Sequence, residues 1–276
     1  MPNTRPVSGM PVWYLRLSHE PTVRLLLVPV IVYIVWLFEI YLLAGRPGLF
    51  SQPEAAGLYL YTLLGCLAIG TIVPLFLLRK AFIQGHVTMF QLGFRSWYRT
   101  VAGIVFAFLV IGGALTLYNP CGKDPSVFFL IFLLLLPTGI ASVMICWVLT
   151  GTHVQALVQS GGPVISIPVG VTVTAILFGL SLKAQFPISV TPDVLFWQII
   201  TGMVMAAFYF LVRDVWPTTV LVTGELVYLV TGWMPVSGLM SAFIPIVAAA
   251  SVSTGALLLV HWFFIRHFRT IPAPAT

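Results

Sequence analysis

The sequence predicts an all-α bundle of about eight membrane-spanning helices, and three observations carry that expectation. Of the 276 residues, 59% are hydrophobic and only 7% charged, against about 25% charged in a soluble domain. Several apolar runs exceed the ~18 residues that mark a membrane span. The basic residues gather at the ends of those runs.

The expected spans are residues 25–45, 57–78, 100–118, 127–149, 163–182, 194–212, 217–235 and 241–265. A comparatively polar, proline-containing segment, residues 1–22, precedes the first. The first span is too long for a signal-peptide core, so no cleaved signal is expected. Pro21 and Pro217 stand near helix starts, where a missing N–H costs nothing. Pro137 falls inside span four and predicts a kink towards the bundle interior. Small residues recur in span five (Ser166, Gly170, Thr174, Gly179) and span eight (Ala248, Ala249, Ala250, Ser251, Ser253, Gly255), which favours close helix packing. Short connections leave no room for a soluble module, so residues 1–276 read as a single integral membrane domain.

Net charge of +6 invites a nucleic-acid partner, but the positions speak against one. Arg5, Arg16, Arg24, Arg79, Lys80, Arg95, Arg99, Arg213, Arg266 and Arg269 fall on one side of an even number of spans. Only Arg46, Lys123 and Lys183 fall on the other. That is the positive-inside pattern of a plasma-membrane, multi-pass protein with both termini cytoplasmic. Membrane lipid, not nucleic acid, is the expected surrounding partner.

Cys66 and Cys146 lie in spans and Cys121 in an outer loop, without metal-ligand spacing. His153 is expected one turn beyond span four, at the interface. His261 lies among Leu and Val in span eight, too far from His267 to share a helix face as a ligand pair. No nucleotide-binding loop or nucleophile elbow is present. No metal and no cofactor is expected.

The stretch LPTGIASVMICW, residues 136–147, followed after a loop by AILFGLSL, residues 175–182, resembles the CPBP family of intramembrane proteases (the CAAX-protease or Abi group). Members carry two adjacent glutamates and an arginine four residues later on one helix, then Phe-x-x-x-His on the next. Here the glutamate positions are Ala141 and Ser142 and the arginine position is Cys146. Phe178 matches the phenylalanine, while the histidine position is Leu182. The third motif, His-x-x-x-Asn, should follow the loop RDVWP, residues 213–217. Its histidine position falls on Val222 or Thr223 and its partner on Leu226 or Val227. QLGFRSWYRTVAGIVFAF, residues 91–108, is similar to the family's approach to a span, so the resemblance covers roughly residues 74–230.

The resemblance implies a CPBP-like core whose acids, base and ligands have been lost. Ser142 has no His or Lys at helical spacing to activate it. Among the polar residues left in spans, Glu39 is expected to snorkel or to pair with Arg46. Glu225 lies well inside span seven, where a carboxylate faces a polar interior or a partner. It reads either as a proton or ligand site, including a displaced catalytic acid, or as a hydrogen-bonded packing residue.

Three functions follow. The first is a non-catalytic homologue that binds a membrane protein or a hydrophobic, for instance prenylated, peptide segment. The second is a CPBP-type endopeptidase with displaced catalytic residues. The third is a small transporter or lipid-handling protein using Glu225.

Overall fold

The structure, a computed structural model, describes residues 21–50, 53–84, 87–118, 124–231 and 237–268. Residues 1–20, including Arg5 and Arg16, and Cys121, Lys123 and Arg269 lie outside the described residues. The described chain is helical and contains no strand, and seven of its helices are long and apolar enough to cross a membrane. An eighth apolar helix, Val215–Thr231, has 17 residues. The protein is a multi-pass membrane protein of the predicted all-α class.

The apolar face turned outward explains why the solvent must be lipid. Leu109, Leu117, Leu211 and Ile244 are each at least 70% exposed, and water would not tolerate so continuous an apolar surface. Span four behaves differently, with 83% of its apolar window buried. It runs as one stack, Pro125–Ser142, Val143–Gly151 and Thr152–Leu157. Spans two, five, seven and eight pack around it.

Local chemistry sets the helix starts. Asp124 accepts from the Ser126 backbone N–H at 2.9 Å, with Pro125 next in line. Thr191 does the same for span six, taking Val194 N–H at 3.4 Å ahead of Pro192–Val212. Both follow the rule that a side-chain oxygen replaces a missing turn and proline tolerates the first position.

Three spans loosen into wider π-type turns, at Tyr41–Gly45, Tyr61–Ile72 and Val143–Gly151. Threonine hydroxyls settle two of them. Thr71 donates to the Cys66 carbonyl and Thr150 to the Ile145 carbonyl, each at 2.8 Å and each five residues back. That five-residue step is the spacing of a π turn. Pro137 sits in the regular part of span four, one turn or more before its wide turn.

Two helix ends and one side-chain pairing differ from expectation. Span four does not stop near residue 149. The helix continues to Leu157 and carries His153 inside it, 4% exposed, with Nδ1 2.8 Å from the Leu149 carbonyl. Span five likewise continues to Gln185. Glu39 does not pair with Arg46. Its Oε2 is buried without a hydrogen-bond partner, while Arg46 lies two turns on and is exposed.

Candidate functional site

Span four brings the stretches singled out in the sequence together, yet not as one pocket. Ala141, Ser142, Cys146, Phe178, Leu182 and Thr223 are all fully buried. Span four contacts both span five and span seven. The contacts themselves are apolar and tight. The Trp147 and Phe178 rings lie 5.0 Å apart, joining spans four and five. Gly139 lies directly against Thr223, so that a Cβ there would overlap its Oγ1 and come 3.3 Å from its Cβ. Thr223 donates its hydroxyl to the Thr219 carbonyl at 2.8 Å, within its own helix.

Ala141 faces another way. A Cβ on Gly70 of span two would meet the Ala141 Cβ at 2.5 Å. The reason is geometric. Gly139 and Ala141 both lie in the regular helix, two residues and so about 200° apart, which turns them to different neighbours. The wide turns begin only at Val143 and carry Cys146. Ser142 Oγ is buried without a hydrogen-bond partner. Among the described residues, no group of three or more His, Cys, Asp or Glu side chains could hold a metal.

Cavities among the described residues lie elsewhere. One, about 40 Å³, sits at the ends of spans one and five against Gly45, Phe50 and Gln185. Another, about 270 Å³, is an open groove between spans four and eight. Leu133 and Leu136 form one wall, and Ala250, Ser251, Gly255 and Leu258 the other. Leu136 begins the stretch that carries the family resemblance, but none of the degenerate motif positions lines either cavity.

Polar chemistry concentrates in two places. At the basic end of the bundle, residues 91–95 are tied down from three sides. Val215 N–H donates to the Gly93 carbonyl at 2.9 Å, and the Tyr209 hydroxyl donates to the Gln91 carbonyl at 3.1 Å. Arg95 Nε donates to the Arg213 carbonyl at 2.9 Å. His261 closes the third side. Trp216 Nε1–H donates to its Nδ1 at 2.8 Å, so the proton sits on Nε2, which donates to the Arg95 carbonyl at 2.9 Å. Trp97 stacks on the same imidazole at 4.2 Å.

Asp214 anchors the knot from below. It accepts the Thr100 hydroxyl at 2.7 Å and the Trp216 backbone N–H at 3.1 Å, which caps span seven. Burial pushes its carboxyl above the ordinary value of 3.8, and the Thr100 and Trp216 bonds pull the other way. Two residues here take left-handed backbone, Gly93 at φ 76° and Arg213 at φ 53°. Glycine does so freely, and at Gly93 a Cβ would also press on Tyr209 and Val215 at 3.2 Å. Arg213 is 5% exposed, donates through Nη2 to Gln155 Oε1, and lies 4.7 Å from the Phe210 ring centre.

The sequence reading missed this knot. Arg95 and Arg213 were legible only as topological charges and His261 only as a histidine among leucines. The available signal was that a histidine buried in an apolar run must find hydrogen-bond partners.

The second polar place is Glu225. It is partly buried in span seven, and Gln198 of span six donates to its Oε1 at 3.4 Å. No family model matches the chain, and no curated protein or solved structure matches it either.

Proposed function

We propose that this chain is a non-catalytic membrane-embedded binding protein, built on a CPBP-like frame over residues 74–230, that holds a hydrophobic membrane segment. The observation that carries this reading is the groove of about 270 Å³ between spans four and eight. Small side chains of span eight line one wall together with Leu258, and leucines of span four line the other. Such a trough admits an apolar helix or a prenyl chain at close range, because small residues let a neighbour approach the backbone. The motif positions support the same reading. Ala141, Cys146, Phe178 and Leu182 are apolar and fully packed, and offer no group that activates water.

Filling the groove should abolish capture. A photo-reactive residue at Ser251 should crosslink a hydrophobic or prenylated peptide in liposomes, and Gly255→Leu should reduce the yield at least tenfold without lowering the melting temperature. A Cβ at Gly255 meets nothing within 4 Å, so the bundle itself has room for the change. Equal crosslinking by the filled variant would defeat the groove as the binding site.

The same reading places the chain in the plasma membrane with both termini cytoplasmic, supported by the arginine distribution. Reporter fusions after Arg95 and after Thr276 should give cytoplasmic signals, and a fusion near Lys123 an external one. Opposite signals from Arg95 and Thr276 would refute that topology.

A further inference from the structure

Glu225 and Gln198 have more acceptors than donors. The Gln198 amide spends its N–H on Glu225 Oε1 at 3.4 Å, and its own Oε1 is buried with no partner. Gln198 is 7% exposed. Thr201, one turn along span six, donates its hydroxyl to the Gln198 backbone carbonyl at 3.2 Å. The Thr201 hydroxyl also lies within hydrogen-bonding range of the Glu225 carboxyl, so two neutral donors of span six serve it while Gln198 Oε1 stays open. Among the described residues, Glu225 has no hydrogen bond to a basic side chain, since Lys and Arg stand near the span ends.

In hydrocarbon, water does not make up such a shortfall. Carboxylates inside membranes face a cavity or a partner. Glu225 lies six residues before Thr231 at the end of its helix, and Gln198 six residues after Pro192 at the start of span six. Both therefore sit about 9 Å from the same end of the bundle. Glu225 is only partly buried and lies beside span six. The surrounding surface of span six is apolar, with Trp197 and Val204 each 62% exposed. A soluble ligand would have to cross that apolar surface, whereas a membrane helix already lies against it.

We propose that Glu225 and Gln198 form a recognition site for a transmembrane helix of another protein that carries a lysine or arginine at matching depth. The basic group supplies the missing donors. Its charge complements the carboxylate. The site shares no residue with the groove between spans four and eight, so it goes beyond the groove reading and is tested apart from it.

The test uses the full chain in lipid nanodiscs with a photo-reactive residue at Val204. Three synthetic leucine–alanine helices serve as probes, alike except for lysine, leucine or glutamate about six residues from one end of the apolar stretch. The lysine helix should bind about tenfold more tightly than the leucine helix, the scale of a polar pair between membrane helices, and the glutamate helix least. Glu225→Gln should bring the lysine helix to the leucine level, with thermal melting to verify that the variant is folded. If that variant does not fold, the order of the three helices on the unaltered protein decides. No preference for lysine, or a preference that survives in folded Glu225→Gln, overturns the proposal. Crosslinking of the leucine helix from Ser251 reads the groove separately, so either site can fail without the other.

Discussion

Gly139→Val should cause a large loss of stability. The added side chain starts from a Cβ that already overlaps Thr223 Oγ1, with the Thr219 carbonyl oxygen 3.6 Å away. Both partners are backbone or β-branched groups of fully buried residues, so neither swings aside. Overpacking of this kind costs about 1–3 kcal/mol for added methylenes and more where the backbone must shift. The expected result is loss of the folded, monodisperse protein in mild detergent. Gly139→Ala should be milder, and Thr223→Ala should rescue it in part, since removing Oγ1 leaves a Cβ at 3.3 Å. Melting curves of the two single variants and the pair measure this. Simple additivity would show that spans four and seven are not in the contact described.

Asp214→Ala should cost about 2–3 kcal/mol, from a lost helix cap together with a buried hydroxyl left without its acceptor. The carboxyl serves Thr100 from span three and Trp216 from span seven, so one deletion loosens the whole basic end. Asp214→Asn keeps an oxygen for the Trp216 N–H and an amide for Thr100, and should retain most of the stability. The pH dependence separates the two forms of the acid. The folded carboxyl holds its proton to a higher pH than the unfolded one, because burial disfavours the charge. Its contribution is therefore full below the ordinary value of 3.8 and is lost as pH rises through the raised folded value. The melting temperature of the native protein relative to Asp214→Asn should fall across that window. A rise would reverse the assignment.

What was legible in the sequence was what is local. Apolar runs gave the helices, and Pro21 and Pro217 stand near helix starts as expected; the caps Asp124 and Thr191 act within three residues but were not singled out. Their ends were less legible, because nothing polar interrupts residues 149–152 and the helix simply continues to Leu157. The wide turns at Val143–Gly151 leave no signature except a threonine whose hydroxyl finds a carbonyl five residues back.

The candidate site divides the same way. Span four contacts spans five and seven, while Ala141 faces Gly70 of span two, a pairing across some seventy residues that no local pattern reports. The knot that joins Gly93 to Val215 and Arg95 to His261 spans more than a hundred residues of chain. No periodicity reports a pairing of that kind. Glu225 was found because an intramembrane carboxylate is conspicuous, whereas Gln198 was not, since an uncharged amide stands out little among apolar residues.

The account rests on the claim that this frame binds and does not cut. The direct measurement is cleavage of a panel of prenylated and hydrophobic peptides by the purified protein in liposomes, with added metal, with chelator, and with Glu225→Gln alongside. General acid–base help is worth about 10²–10⁴-fold to such a reaction, and Ala141, Ser142, Cys146, Leu182 and Thr223 bring no carboxylate or histidine to supply it. The account predicts no cleavage above the protein-free rate under any condition, with the peptides still captured at Ser251. Chelator-sensitive cleavage that Glu225→Gln abolishes would contradict it and make Glu225 the acid of a displaced catalytic centre.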